Sequence, residues 1–420
     1  MSGRRIITIA LLIGAVIFSG CSQTEGEPPD ISNFTGRSRH TTVAFGTVSV
    51  LRLYEDFSRD VNVARFDRVW EETRELLREL DAVFSTRSPD SDVSRFNALE
   101  YGESIHISAH MARVVRESYE LFIETGGLFD PTVYPLVDLW GFTPRFSGGP
   151  FRPLMPYDRP GGRGDIPCPL YIEAFLQLVN FEKIVLGGDA ENGYTLTKRI
   201  PPVTVNGTTY QGQLSFGAIV KGYATELVRE IMLREGFAFG HFSCGGSSMS
   251  ILKGMDHTDP YQFDLRLRKP RPGENNDSAF ISLRVGNMCL STSGDYDHVF
   301  FIDDVRYSHI FNAATGWPVN TPADGPQSGL AAATIFGADG ARLEAVSTAI
   351  LSMPLAEAIA FLNMRPELKA VLVYYNNAFD HYEVITNFAD YLITILDPAY
   401  VLASRLDDHG HIVYEGVLGN

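Results

Sequence analysis

The chain has 420 residues, 45% of them hydrophobic, and its 51 Asp and Glu residues outnumber 35 Lys and Arg residues to give a formal net charge of −16. This length allows one large domain or two small ones with a sizeable core. An acidic surface argues against nucleic acid as a partner, because a polyanion is bound by basic patches.

The first 21 residues have the layout of an export signal. Two arginines precede an apolar run over residues 6–18, and Ser19-Gly20-Cys21 follows. The run is shorter than the roughly 20 apolar residues of a membrane-spanning helix, and a basic head, an apolar stretch and small residues are typical of a cleaved signal. The small pair before the cysteine predicts lipidation of Cys21. The usual leucine is absent, so a plain cleaved signal with an incidental cysteine is the alternative.

Cleavage before Cys21 removes Arg4 and Arg5 and no carboxylate, which moves the net charge from −16 to −18. A lipidated cysteine would hold the protein to a membrane, because each buried methylene contributes about 0.8 kcal/mol. We therefore expect an exported lipoprotein anchored to the inner membrane and facing the periplasm. Ser22 lacks the charge that would retain it there, so the outer membrane stays open.

Residues 22–39 are polar and contain prolines, which predicts a flexible tether. We find no internal repeat and no clear linker over residues 40–396, and predict one composite domain there. Residues 397–420 are a C-terminal tail with no assigned role.

Hydrophobic periodicity predicts an α+β domain, in which helices repeat every three to four residues and strands alternate. The predicted elements in chain order are a strand over 42–54, a helix with an apolar stripe over 66–84, a helix over 109–124, a surface loop over 143–169, short strands over 181–186 and 194–197, a helix opened by Gly217, strands and turns over 240–307, and a helix over 343–353.

Beyond Cys21, the cysteines are Cys168, Cys244 and Cys289, with no Cys-x-x-Cys pair. This spacing argues against a thiolate metal site. A Cys244–Cys289 disulfide is possible in an oxidising compartment, and buried free thiols are the alternative.

Two segments combine small hydroxyls, glycines and carboxylates where apolar periodicity breaks. The first, Phe84-Ser-Thr-Arg-Ser-Pro-Asp-Ser-Asp92, presents hydroxyls to a ligand or is an ordinary turn. The second, Gly126-Gly-Leu-Phe-Asp-Pro-Thr132, forms a rigid polar corner, although helix termination explains its glycines equally well.

Two further segments place glycines beside the start of a helix or the end of a strand. Gly217-Ala-Ile-Val-Lys-Gly-Tyr-Ala224 has backbone N–H groups and a lysine suited to phosphate, without Walker spacing. Cys244-Gly-Gly-Ser-Ser248 allows a ligand close to the backbone, or is a glycine bulge.

The last group of motifs predicts an anion nest and a hard-cation site. Ser291-Thr-Ser-Gly-Asp-Tyr296 is followed by His309 and by Thr315-Gly-Trp-Pro318, and small hydroxyls beside glycine suit anionic oxygens. Glu344 and Thr348 are four residues apart on a predicted helix and share a face. Oxygen ligands suit Mg²⁺, and the alternative is an exposed Glu with a helix-packed Thr.

In this order, from about Ala44 to about Met353, the motifs resemble the ApbE family, the FAD:protein FMN transferases. The matching segments are Phe129-Asp-Pro-Thr-Val with Leu139-Trp-Gly, Gly217-Ala-Ile-Val-Lys-Gly-Tyr-Ala, Gly245-Gly246, Ser291-Thr-Ser-Gly-Asp-Tyr, His309 with Thr315-Gly-Trp-Pro, and Ser347-Thr-Ala.

The resemblance implies a single ApbE-like, T-fold-related α+β domain with a flavin cleft. It implies Mg²⁺-dependent transfer of FMN from FAD to a Thr or Ser hydroxyl of an exported acceptor flavoprotein, with release of AMP. The expected acceptor is a subunit of a membrane redox complex. The alternative is an FAD-binding lipoprotein, or an FAD pyrophosphatase, with weakened or absent transferase activity.

The resemblance also implies the roles of individual residues. Mg²⁺ would be held by the backbone carbonyl near Ala218 and the side chains of Glu344 and Thr348. The catalytic candidates are His309, Asp295 and Lys221, with a structural histidine bonded to backbone as the alternative for His309. The residues expected to contact the flavin nucleotide are Phe45, Ser85, Thr86, Asp130, Lys221, Gly245, Gly246, Ser291, Thr292, Ser293 and His309.

The chain departs from the family pattern at several of these positions. Glu344 stands for the usual aspartate, which moves the carboxylate by about one bond length in a site where Mg²⁺ tolerates little distortion. Ser215 and Ser247 replace common aspartates, Phe45 replaces a frequent methionine, and Arg87 stands where many members have an aromatic residue. These changes affect metal affinity and turnover more than flavin binding.

Overall fold

The computed structural model describes residues 31–143, 166–254, 262–271, 278–324, 329–376 and 379–416. The predicted signal peptide, Cys21 and the start of the tether lie outside the described residues, as does most of the predicted loop over 143–169. Within the described ranges, no helix is long and apolar enough to cross a membrane.

The described residues form both helices and strands. The helices are α1 (Asp60–Phe84), α2 (Asp92–Asn97), α3 (Ala109–Glu124), α4 (Tyr134–Leu139), α5 (Pro169–Leu176), α6 (Val220–Arg234), α7 (Gly340–Ile350) and α8 (Leu355–Asn363). The strands are β1 (Thr35–Thr41), β2 (Ser49–Glu55), β3 (Ser104–Ile107), β4 (Ile184–Asp189), β5 (Gly193–Lys198), β6 (Val203–Val205), β7 (Thr208–Tyr210), β8 (Gly240–Cys244), β9 (Ser248–Ile251), β10 (Phe263–Arg268), β11 (Ala279–Val285), β12 (Met288–Gly294), β13 (Val299–Ile302), β14 (Val305–Ser308), β15 (Leu330–Gly337), β16 (Lys369–Asn376), β17 (His381–Thr386), β18 (Ile393–Ile395), β19 (Tyr400–Leu402), β20 (Ser404–Leu406) and β21 (Ile412–Tyr414).

A nine-stranded sheet in the order β1-β2-β8-β9-β12-β15-β16-β17-β19 forms the centre of the fold. Its neighbouring strands are antiparallel, except for the parallel pair β17 and β19. Helices α1, α6 and α7 contribute to the core on one face of this sheet. The small sheet β10-β11-β18 packs against the other face. The α+β prediction is confirmed.

Local signals set the ends of the well-predicted helices. The helix predicted over 109–124 is confirmed as α3, where the Ser108 hydroxyl accepts the N–H of Met111 at 3.2 Å, as a helix N-cap does. Gly126 and Gly127 follow its end with φ of 64° and 85°. Glycine adopts this left-handed backbone without steric cost, so the chain turns away here.

Strand β12 carries the serine-rich motif with alternate side chains on opposite faces, as strand geometry requires. Cys289 belongs to the core on the helical side, and Leu290 to the core on the other side. Ser291 and Ser293 therefore share the face that packs against α7, and Thr292 points to the opposite face, where its hydroxyl lies 2.9 Å from that of Thr334.

The two ends of the described chain differ from the sequence expectation. Strand β1 forms within the predicted tether, because its polar residues pair with the whole length of β2 while staying largely exposed. At the other end, residues of the predicted tail form β19, β20 and β21, and Tyr400 stacks on Phe280 with ring centroids 4.6 Å apart. Cys168, Cys244 and Cys289 are free thiols, and the last two are buried.

Candidate active site

A cleft of about 520 Å³ lies between the loop 42–46, the loop 85–88 and the start of α6. Four of the residues predicted to contact a flavin nucleotide line it, namely Phe45, Ser85, Thr86 and Lys221. Positions more than 130 residues apart in the chain thus share one cavity.

Loop 85–88 is held in a fixed turn by serine hydroxyls. The Ser85 Oγ accepts the backbone N–H of Arg87 at 3.2 Å and of Ser88 at 3.3 Å. The carbonyl of Ser85 in turn accepts the hydroxyls of Ser91 at 2.6 Å and Ser94 at 3.2 Å. Such side-chain bonds to backbone favour turns, so the Ser85 hydroxyl shapes the loop.

Loop 42–46 reaches the cleft through two residues in left-handed backbone. Phe45 and Gly46 have φ of 56° and 65°, and the Phe45 N–H donates to Asp81 Oδ1 at 2.8 Å. A bulky residue with positive φ is strained and persists where surrounding contacts hold it. Here the Asp81 carboxylate at the end of α1 provides that contact.

Lys221 joins the cleft to a buried carboxylate. It lies in the first turn of α6 and lines the cleft, while its Nζ donates to the carbonyl of Gly217 at 2.8 Å. The same ammonium pairs with Glu344 Oε1. The Glu344 side chain is 4% exposed and that of Lys221 is 23% exposed. The buried carboxylate therefore depends on the Lys221 ammonium to compensate its charge.

A close contact between two helices brings Glu344 to this position. A Cβ on Gly222 of α6 would lie 2.0 Å from the carbonyl oxygen of Gly340 of α7, so the two backbones touch. At this distance the N–H of Gly222 donates to Glu344 Oε2 at 2.7 Å. Glycine at both positions therefore permits the approach that places the carboxylate beside Lys221.

Three hydroxyls lie beside the Glu344 backbone. Ser293 Oγ of β12 is 2.9 Å from Ser347 Oγ and 3.0 Å from Thr348 Oγ1. Both of those α7 hydroxyls donate to the carbonyl of Glu344, at 2.9 Å and 3.0 Å. The structure thus brings together the predicted residues Ser293, Glu344 and Thr348.

The donor chemistry of this cluster fits a hard cation. Glu344, Thr348 and Ser293 offer oxygen atoms, the donors that Mg²⁺ prefers, and the carboxylate already pairs with a cationic ammonium. Ala218 lies in the turn that precedes α6. Among the described residues there is no group of three or more His, Cys, Asp or Glu side chains suited to a metal, so a metal here would rest on one carboxylate and would compete with Lys221 for it.

His309 follows β14 and is held as a neutral imidazole. Its Nδ1 lies 2.9 Å from the carbonyl oxygen of Asp297, and because a carbonyl only accepts, Nδ1 carries the proton and Nε2 is free of it. Burial, with the charges of His298 and Lys221, lowers the pKa of His309 to about 4. His309 is therefore bonded to the backbone, as a structural histidine is, and also has an unprotonated Nε2, as a base requires.

Two predicted carboxylates are held by structural contacts. Asp295 is fully buried and binds the Arg271 guanidinium through both oxygens, one of them 2.8 Å from Nε, and Asn320 donates to it at 3.0 Å. Both oxygens are therefore engaged, which makes Asp295 a weaker candidate base than His309.

Asp130 accepts the backbone N–H groups of Thr132 at 2.7 Å and Phe181 at 3.2 Å, and burial raises its pKa.

Among the remaining predicted contacts, Gly245 lies beside the Lys221 side chain and Ser291 lies beside another serine. A Cβ on Gly245 would lie 3.6 Å from Lys221 Cδ, and both Gly245 and Gly246 have positive φ. Ser291 Oγ is buried and 3.1 Å from Ser248 Oγ. Cys244, next to the glycines, has its pKa raised to about 11 by burial.

The sequence did not single out Asp81 or Gly340. Asp81 lies within the amphipathic pattern of α1, and its role depends on a loop 36 residues earlier. Gly340 follows the N-cap of α7 and resembles any glycine at a helix start. Nothing local in the sequence marks either residue.

The ApbE family model matches residues 45–372 of this chain, which is well over half of its 420 residues. Curated proteins with similar sequences include the FAD:protein FMN transferase of Vibrio cholerae, 31% identical over 58% of this chain. That alignment covers 63% of the relative's own length. The protein of the same name from Haemophilus influenzae is 29% identical over 68% of this chain and 73% of its own length.

Solved structures share the fold. The flavin transferase ApbE from Vibrio cholerae superposes with a TM-score of 0.62 at 22% identity, covering 84% of this chain and 97% of that one. The apo flavinyl transferase ApbE from Pseudomonas stutzeri gives a TM-score of 0.62 at 23% identity, covering 84% of this chain and 94% of that one. Both superpositions cover a larger share of this chain than the two sequence alignments above.

Proposed function

The chain belongs to the ApbE family, and on that basis we propose that it transfers FMN from FAD to a Thr or Ser hydroxyl of an exported acceptor flavoprotein, with Mg²⁺ bound and AMP released. The observation that carries the proposal is that Lys221 lines the cleft and pairs with Glu344. The Glu344 backbone carbonyl accepts the hydroxyl of Thr348, which lies 3.0 Å from that of Ser293. A dinucleotide held in the cleft would have its anionic oxygens near this group.

The transfer exchanges one phosphorus–oxygen bond for another. The acceptor hydroxyl oxygen bonds to the phosphorus of the FMN half, the bond from that phosphorus to the AMP half breaks, and AMP leaves with the bonding electrons. The hydroxyl proton passes to a base. His309 suits this role because its Nε2 is unprotonated and Asp297 fixes the ring through Nδ1, and a positioned base contributes to such a proton transfer.

Lys221 and the α6 turn would hold the pyrophosphate. An ammonium and backbone N–H groups before a helix stabilise anionic oxygens. Glu344, Thr348 and the Ala218 carbonyl would hold Mg²⁺, which supplies charge neutralisation on the phosphoryl oxygens.

The alternative is FAD binding or FAD hydrolysis with weak transfer, and one observation favours it. The single carboxylate of the cluster is neutralised by Lys221, so a metal gains less from it than from a free carboxylate.

The proposal also includes export and a lipid anchor at Cys21. The anchor would hold the enzyme at the inner membrane, facing the periplasm, beside membrane redox subunits.

Incubation with FAD and Mg²⁺, followed by separation of FMN and AMP, tests the chemistry without an acceptor. Slow, Mg²⁺-dependent release of AMP is expected from the wild type, more from Glu344→Asp, and none from Glu344→Ala. Release that ignores both Mg²⁺ and position 344 would refute the assigned metal ligands. FAD that is bound firmly and stays intact after long incubation with Mg²⁺ favours the binding protein.

A further inference from the structure

Arg87 is a cation that lines the cleft without a carboxylate partner. The cleft lining contains Arg87, Lys221 and one carboxylate, Asp81. In the described part of the chain, the Arg87 side chain forms no ion pair and donates no hydrogen bond. Acidic residues outnumber basic ones by 51 to 35 over the whole protein, so the charge of this lining has the opposite sign from that of the chain as a whole.

The position of Arg87 is set by both loops of the cleft. Its backbone N–H is fixed by Ser85, and its guanidinium lies over Gly46, where a Cβ would be 2.9 Å from Nη2 and 3.5 Å from Cζ. Gly46 also needs its positive φ of 65°. The loop 42–46 therefore leaves space for the guanidinium at this edge of the cleft.

The other cation of the lining has a partner already. Lys221 pairs with Glu344 and donates to Gly217, whereas Asp81 accepts from Phe45. The guanidinium of Arg87 is left with its donors directed to solvent or to a ligand. A planar group with five N–H donors binds phosphate oxygens in pairs.

We infer that the charged guanidinium of Arg87 binds the diphosphate that joins the FMN and AMP halves of FAD. Arg87 thereby selects dinucleotides and ADP over uncharged flavins. This inference rests on the proposed function for the identity of FAD, but it concerns only binding. Neutralising one such contact removes a charge-assisted hydrogen bond, which corresponds to a loss of affinity of about 10-fold or more.

The test compares ligands and variants in the full-length protein, with ADP and riboflavin as separate probes in calorimetry. Arg87→Gln is expected to weaken ADP and FAD about 10-fold and to leave riboflavin unchanged. Arg87→Lys, which keeps the charge, is expected to lose less than Arg87→Gln, and Arg87→Tyr, which keeps only a flat ring, to lose as much. Arg116→Gln is the matched control, because Arg116 is exposed on α3 and does not line the cleft.

Salt gives an independent readout, since screening weakens a charged contact. Raising the salt concentration should weaken ADP binding to the wild type more than to Arg87→Gln. The inference is overturned if Arg87→Gln binds ADP like the wild type, if Arg87→Tyr retains ADP, or if riboflavin is lost together with ADP. A wild type that binds ADP through Arg87 yet transfers no FMN would contradict the proposed function and leave this inference standing.

Discussion

Removing either partner of the Lys221–Glu344 pair should cost stability, and unequally. Breaking a buried ion pair costs about 3–5 kcal/mol because it leaves an uncompensated charge. The Glu344 side chain is 4% exposed, whereas Lys221 is 23% exposed and keeps the Gly217 carbonyl. We expect Lys221→Met to cost about 4 kcal/mol, and Glu344→Gln about 2 kcal/mol, because the glutamine oxygen still accepts the Gly222 N–H.

Urea unfolding with EDTA present measures both changes, and the double variant measures their coupling. The double variant should cost about 2 kcal/mol less than the sum of the single changes, since it leaves no isolated charge. Mg²⁺ should stabilise the wild type and have no effect on Glu344→Gln, because a ligand stabilises only the state it binds. Additive single effects, or a Glu344→Gln loss larger than that of Lys221→Met, would show that Lys221 does not compensate the buried charge of Glu344.

Three further outcomes are expected. Gly222→Ala should destabilise the protein by several kcal/mol in thermal unfolding although alanine normally favours a helix by about 1 kcal/mol, because its Cβ would meet the Gly340 carbonyl at 2.0 Å; a neutral effect would contradict the helix contact. His309→Asn should abolish transfer, and the acid limb of kcat/KM in the wild type should fall near pH 4 in place of 6.5, because burial lowers that pKa to about 4; a midpoint near 6.5 would contradict this. Burial lowers the pKa of Lys198 from 10.5 to about 8, so the unfolded chain binds more protons between these values and stability rises with pH across them. The free energy of unfolding of the wild type relative to Lys198→Met should increase by about 3 kcal/mol from pH 7.5 to 10.5, and a flat difference would show that Lys198 titrates normally.

Local pattern was sufficient for the long helices. The apolar stripes of α1 and α3 repeat at helical spacing, and the Gly126-Gly127 pair ends α3 where the sequence predicts. Strand β1 was missed because its residues, from Thr35 to Thr41, are polar and mostly exposed, so nothing in them distinguishes an edge strand from a tether. The segment is a strand because it pairs with β2, and this pairing has no signal in the local sequence pattern.

The candidate site was predicted in part, because the motifs name residues but not their partners. Glu344 and Lys221 were both assigned to the site, yet their ion pair spans 123 positions and depends on the contact between α6 and α7. Asp295 was predicted as a catalytic residue, yet both of its oxygens bind Arg271, which lies 24 positions earlier in the chain. Such long-range partners follow from the packing and carry no local signal.

FMN transfer can be measured with an acceptor subunit of a membrane redox complex together with its variant lacking the acceptor threonine. The purified protein is incubated with FAD, Mg²⁺ and each acceptor, and flavin fluorescence is read in a denaturing gel while AMP is quantified. We predict a fluorescent band on the intact acceptor only, with one AMP released per flavin attached, and no band with His309→Asn. Firm FAD binding with no fluorescent band on any acceptor would show that the protein binds FAD without transferring FMN.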